Sequence, residues 1–216
     1  MKRLTGLMLV GLTVTSVQAA NIVSYDFFGA PGNQASTAGA SDFAQINVTP
    51  ISRGAGLTAT AAANSISASG WTGETSDWIG FSFDVQSGFT ATLANFFFAS
   101  RSSSTGPGFT AVRTSLDGFT SNVATIAQAP GANFVNNIVN LSGLGPITGT
   151  LEVRFYSDNT TSAGGGTVGA NGTLRFGNYS PDGTTFTPFR IEGEVVPEPA
   201  SLALLALGAL AAIRRR

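Results

Sequence analysis

Apolar and polar residues alternate one by one along much of the chain, as in Phe81-Ser82-Phe83-Asp84-Val85, Leu151-Glu152-Val153-Arg154-Phe155 and Phe189-Arg190-Ile191-Glu192. A period of two puts alternate side chains on opposite faces, so each run predicts a strand with one face in a core and the other in water. No comparable stretch follows the helical period of about 3.6 residues. Breakers separate the runs and predict turns at Gly54-Ala55-Gly56, Gln86-Ser87-Gly88, Gly106-Pro107-Gly108, Asp117-Gly118, Gly143 to Pro146, Asn171-Gly172 and Asp182-Gly183. The pattern predicts an all-β fold, an antiparallel two-sheet β-sandwich that is most simply jelly-roll-like. Its expected inward set is Phe81, Phe83, Leu93, Phe96, Phe98, Val112, Leu116, Ile126, Leu151, Val153, Phe155, Leu174, Phe176 and Ile191. Gly-Phe-Thr recurs at Gly88, Gly108 and Gly118 at unequal intervals, and reads as three strand starts rather than a repeat.

The two ends break this alternation. Met1 to Ala19 has Lys2 and Arg3, an apolar centre diluted by Thr and Gly, and small residues at its close. That is the layout of a helical secretory signal peptide, with cleavage expected after Ala19. At the other end Pro197-Glu198-Pro199 precedes an uncharged Leu/Ala run from Ala200 to Ile213 and then Arg214-Arg215-Arg216. The run predicts a transmembrane helix shorter than the ~20 residues that cross a hydrocarbon core. The arginines would stay cytoplasmic, leaving the prolines outside. Pro197 and Pro199 cannot donate backbone hydrogen bonds, so Glu198 is expected on a stiff, extended segment at the membrane face. The chain thus divides into a signal peptide (1–19), a β-sandwich domain (20–195) and a C-terminal signal (196–216).

The order Val196-Pro197-Glu198-Pro199-Ala200-Ser201, a short apolar segment and terminal arginines resembles the PEP-CTERM sorting signal of exopolysaccharide-producing Gram-negative bacteria. The resemblance implies an exosortase, a membrane-embedded cysteine protease, as processing partner. It also implies transient anchoring in the inner membrane, then delivery to the cell surface or extracellular matrix. It implies nothing about the body's activity. Arg101 to Gly108, Ala111 to Phe119 and Gly172 to Phe176 also resemble segments of PEP-CTERM bodies with lectin-like jelly rolls.

Composition narrows the chemistry. The body's basic residues are Arg53, Arg101, Arg113, Arg154, Arg175 and Arg190, outnumbered by its acids. A mildly acidic, lysine-free surface argues against nucleic acid as a partner. The chain has no cysteine and no histidine, which excludes disulfides, ordinary His/Cys zinc sites and a triad with a histidine base. Its 16 phenylalanines supply core material instead.

Three places carry candidate chemistry. Trp71, Glu74, Asp77 and Trp78 put two carboxylates beside two aromatic planes, a combination used in sugar binding and in glycoside hydrolysis. The commoner role of such a Trp is partly buried core. Arg101 and Arg113 are expected on neighbouring strands of one hairpin with Asp117 in the following turn, either as an ion pair that fixes the turn or as a grip on a ligand's carboxylate. Asp158-Asn159 with Gly164 to Gly166 offers oxygen ligands for a structural calcium without a calcium-loop motif, so no cofactor is assigned. Asn-x-Ser/Thr triplets begin at Asn47, Asn140, Asn159, Asn171 and Asn178, as composition alone provides. The sequence therefore reads as an exported, non-catalytic structural or carbohydrate-associated module near exopolysaccharide. The alternative is a secreted polysaccharide-acting hydrolase with Glu74 and Asp77 as its acids.

Overall fold

The alternating runs all become strands. The computed structural model describes residues 20–131, 133–157 and 160–198. In chain order the strands are β1 (Ala20–Tyr25), β2 (Pro31–Gly32), β3 (Ser36–Thr37), β4 (Ile46–Val48), β5 (Ile51–Arg53), β6 (Thr58–Ala59), β7 (Ser65–Ser69) and β8 (Trp78–Val85). They continue with β9 (Phe89–Ser102), β10 (Phe109–Thr114), β11 (Ala124–Ala127), β12 (Val135–Asn140), β13 (Pro146–Ile147), β14 (Gly149–Tyr156), β15 (Leu174–Gly177) and β16 (Phe189–Pro197). Two 3-10 turns, Ser115–Asp117 and Ser142–Leu144, are the helical elements among the described residues.

The strands form two sheets. The first runs β1-β16-β9-β15-β7-β2, with β12 and β13 also on β9 and β6 on β7; the second runs β11-β10-β14-β8-β5-β3, with β4 on β8. Every ladder between named strands is antiparallel except the short parallel pairing of β2 with β7. The spine of the first sheet is β9. Phe96 and Phe97 pair with both β16 and β12, and Ala99 and Ser100 with both β15 and β12. One edge of β9 therefore carries β16 and then β15 end to end, while β13 and β12 line the other.

The inner faces meet in an aromatic core. Tyr25, Phe27, Phe81, Phe96, Phe98, Phe155, Phe176 and Phe189 are at most 3% exposed. Phe155 stacks on Phe176 at 4.1 Å between centroids, and Phe189 meets Phe96 edge-on at 4.8 Å. Burying each such ring contributes roughly 1.5–3 kcal/mol, and each favourable ring pair about 0.5–1.5 more. With no disulfide available, this layer holds the two sheets together. A polar tie crosses it as well. Arg53 on β5 donates from Nε to Ser67 O (2.9 Å), from Nη1 to Gln34 O (2.6 Å) and from Nη2 to Gly32 O. Burial lowers its pKa, yet all three of its hydrogen bonds go to carbonyl oxygens.

Most of the expected inward set is buried, but two members are not. Leu116 is 53% exposed because β10 ends at Thr114 and the chain turns through Ser115–Asp117. Ile126 is half-buried, since β11 is an edge strand. The expected hairpin joining Arg101 to Arg113 does not form. From β7 to β10 the chain changes sheet at every connection, so Arg101 lies in the first sheet and Arg113 in the second. Gly88 and Gly108 do precede strands. Gly118 instead caps the 3-10 turn at φ 70°, and Phe119 follows it at φ 64°, a conformation that costs a non-glycine residue strain.

Candidate functional site

The carboxylates of the 71–78 loop do different work. Asp77 is 2% exposed, and its Oδ2 accepts from Thr72 N (2.7 Å), Thr72 Oγ1 (2.6 Å) and Glu74 N (3.2 Å). It is the internal staple of its own turn. A β-carbon on Gly56 would sit 1.9 Å from Asp77 Oδ1, so glycine there lets the turn close. Trp71 is 3% exposed inside the core and its indole N–H donates to Ala68 O at 3.0 Å. Glu74 stands free on the surface at the rim of a cleft of about 330 Å³.

That cleft gathers several candidates on the outer face of the second sheet, with Arg113, Phe119, Arg154 and Tyr156 among its walls. Arg154 is held between the Trp78 and Phe119 rings, its guanidinium carbon 4.3 and 4.1 Å from their centroids. Its Nε donates to Glu152 Oε1 at 2.6 Å and its Nη1 to the Tyr156 hydroxyl at 3.1 Å. Arg113 lies directly across from Arg154, donates to Asn122 Oδ1 at 2.7 Å and covers the Tyr156 ring at 5.2 Å. Like charges opposed across a ladder destabilise it unless each is otherwise engaged. The other sheet repeats the arrangement: Arg190 lies over Phe97 at 4.3 Å and donates to Glu192 at 2.7 Å. A flat guanidinium over a ring, paired with a Glu two residues along the strand, is thus how both outer faces are dressed. Alternation alone marks Arg154 as outward-facing, but its aromatic partners come from other elements and no local pattern announces them.

The remaining predicted residues lie apart. Arg101 faces Arg175 across β9 and β15 and donates to Gly131 O at 2.7 Å. Burial, with the Arg101 charge added, lowers the Arg175 pKa. Asp117 is exposed and accepts from Ser121 N (2.9 Å) and Thr120 N (3.2 Å), so the Ser121 and Thr120 donors hold its carboxyl below the usual range. Asp158 and Asn159, on which the calcium expectation rests, lie outside the described residues. Among those that are described, no three His, Cys, Asp or Glu side chains cluster as a metal site.

A second surface feature was not legible in the sequence. Near the Ala99 end of β9, loops from four parts of the chain enclose a groove. Its narrower part, about 150 Å³, is lined by Phe28, Ala63, Asn64, Phe134, Asn178 and Phe186. Its wider part, about 440 Å³, shares Phe134, Asn178 and Phe186 and adds Asn133, Asn136 and Ser180. Phe28 and Phe186 are 76% and 60% exposed. Nothing in a run such as Asp26-Phe27-Phe28-Gly29 says which ring enters the core and which stays in water.

The opposite end of the same ladder carries the C-terminal signal. β16 does not stop where the domain was expected to end. Val195, Val196 and Pro197 continue the antiparallel pairing, opposite Ala91, Thr90 and Phe89, and Glu198 N donates to Gly88 O at 2.9 Å. Pro197 is tolerated because, among the described residues, β1 pairs with β16 only as far as Gly193 and leaves this part of the strand an edge. Pro199, the apolar run and Arg214 to Arg216 lie outside the described residues, as does the expected signal peptide. No helix among the described residues is long and apolar enough to cross a membrane.

No curated protein and no solved structure matches the chain. The family model of the PEP-CTERM protein-sorting motif matches residues 195–216, the stretch that begins inside β16. The chain is therefore a protein that carries a PEP-CTERM sorting domain, the signal through which an exosortase processes exported proteins and sorts them to the cell exterior.

Proposed function

We propose that the body is a non-catalytic, carbohydrate-associated module of jelly-roll-like topology, displayed on the surface or in the exopolysaccharide matrix of a Gram-negative cell. A signal peptide of residues 1–19 starts its export. A short C-terminal transmembrane helix then holds it in the inner membrane until exosortase acts. The observation that carries the delivery in this reading is the sorting-motif match over residues 195–216, which begins where Val195 to Pro197 pair with Ala91 to Phe89. Cargo and signal share one strand, so the sandwich travels as the intact unit to be delivered. The internal bonding of Asp77 supports a body without hydrolytic acids, because a carboxylate spent on its own turn is a poor proton donor or nucleophile.

The test is the mass of the surface-delivered protein in a host with exosortase. Loss of Leu202 to Arg216 is expected. Alanines at Pro197, Glu198 and Pro199 should leave an uncleaved precursor in the membrane, and neutral residues at Arg214 to Arg216 should loosen orientation. Retention of the complete tail on the delivered protein would mean a permanent anchor. A parallel polysaccharide-hydrolysis assay should detect no product; turnover that is lost in Glu74→Gln would establish the hydrolase instead.

A further inference from the structure

The geometry points to the Phe28/Phe134/Phe186 groove as a binding site for a neutral pyranoside chain. This rests on the carbohydrate-associated reading above and names its site and ligand class.

The rings are held for display rather than left over from packing. Phe28 N donates to Asp26 Oδ1 at 2.9 Å, Ala30 N to Phe27 O at 3.0 Å and Gly29 N to Asn64 Oδ1 at 2.8 Å, so the turn that carries Phe28 is fixed on both sides. Asn64 adopts φ 58° to reach it. Asn178 ties the same turn to the end of β15, its Oδ1 accepting from Phe27 N at 2.9 Å and its Nδ2 donating to Asp26 Oδ1 at 2.7 Å. Across the groove, Asn136 Nδ2 donates to Ser180 O, and Ser180 N donates back to Asn136 Oδ1 at 3.0 Å. The Phe186 loop is closed by Asp182, which accepts from Thr184 N at 2.9 Å and Thr185 Oγ1 at 2.7 Å. Fixing several loops so that two phenyl rings stay in water runs against the hydrophobic effect, and such exposed apolar patches mark binding surfaces.

The lining then selects the ligand. Among the described residues, no charged side chain lines either part of the groove. A phosphate or uronate would find no cation there, and a basic peptide no carboxylate. What the groove presents is phenyl faces interleaved with amides and a hydroxyl, the complement of a ring with apolar C–H faces and hydroxyl edges. Polar capacity is also left over. Ser180 is 9% exposed, lines the groove, and its Oγ has no hydrogen-bond partner among the described residues. A buried hydroxyl without a partner costs free energy, and rotation of the Ser180 side chain toward the groove would let a sugar hydroxyl satisfy it.

The site also faces a useful way. Ala99 lines the groove and Phe89 pairs with Pro197, ten residues away along β9. At the rise of a strand these are about 33 Å apart. The groove therefore stands clear of the membrane while the tail is still engaged.

The exported protein, purified after processing, would be screened against an array of neutral α- and β-glucan, mannan and xylan oligosaccharides beside uronate-containing ones, and its best hit titrated calorimetrically. Binding to a neutral oligosaccharide is expected, weakened at least tenfold in Phe28→Ala/Phe186→Ala with the thermal midpoint unchanged, since both rings lie outside the core. Glycan binding undiminished in that variant would overturn the groove and leave the carbohydrate reading standing. Binding confined to uronates and lost in Arg113→Ala would move the site to the second sheet. Failure of the wild type to bind any glycan would remove the carbohydrate reading itself, and capture of apolar peptides by the same rings would identify a protein-docking groove.

Discussion

The two ends of the β9/β16 ladder are built from different interactions. At the sorting end Val195 to Pro197 are held by regular backbone pairing to β9, with Val195 packed against the core. At the groove end the chain leaves the ladder, and position is set by side chains acting on backbone: Asn64 on Gly29, Asn178 on Phe27, Asn136 on Ser180 and Asp182 on its own turn. A strand tolerates substitution because its hydrogen bonds belong to every residue type except proline. A loop fixed by one amide depends on that amide. The strand that leads into the sorting motif is thus positioned by backbone pairing, and the end proposed to hold a ligand by particular side chains.

The largest effect should come where the two ends share their support. Phe189 opens β16 and touches Tyr25, Phe27, Phe81, Phe96, Phe98 and Phe155. Phe189→Ala should lower unfolding free energy by about 3–5 kcal/mol in denaturant titrations. Hydrogen exchange should rise at both ends together; a rise confined to the groove would show the ends to be separate cooperative units.

Next in size is the groove end alone. Asn178→Ala leaves Phe27 N, on a fully buried residue, without its acceptor, at a cost of about 1–3 kcal/mol. Glycan affinity should fall with it, while the Val195 to Pro197 amides keep their exchange protection. Unchanged stability would mean that the amide does not set the turn.

The sorting end should respond less. Glycine at Val195 or Val196 weakens a strand by roughly 0.5–1 kcal/mol per site through backbone entropy and lost packing. Faster exchange at Phe89 to Ala91, with the groove unaffected, is the expected nuclear magnetic resonance signature.

The smallest effect is that of pH. Hydrogen bonds from Thr185 and then Thr184 hold the Asp182 carboxyl well below its ordinary value near 3.8. A depressed folded-state pKa contributes stability that is present above the unfolded value and lost as pH falls through the folded one. The Phe186 loop should therefore be steady from pH 8 to about 5 and begin to open only below about pH 4. The chain has no histidine to titrate between these limits. Opening near pH 6 would contradict this assignment.

How much was legible follows the range of each interaction. Alternation at Phe81 to Val85 and Leu151 to Phe155 places side chains on faces by a local rule, and those strands and their buried rings form as expected. Leu116 departed because the rule holds only while the chain stays extended, and Thr114 ends its strand. The 71–78 loop illustrates the limit for chemistry. Its composition suited sugar binding, but which carboxylate meets water depends on how Thr72 and Glu74 turn back onto Asp77, and Trp71 drops into a core supplied by distant strands.

The sequence alone determined the strands, most of the inward set, the lack of covalent staples and the sorting signal, since each is written in contiguous residues. Only the tertiary structure decided which sheet each strand joins, that Arg101 and Arg113 stand in different sheets, and that the sorting signal begins inside β16. It alone brings Phe28, Asn64, Phe134, Asn178 and Phe186 around one groove. Their meeting depends on non-local strand pairing, in which many orders of the same alternating strands satisfy the local pattern equally, and burial of the shared aromatic layer selects among them.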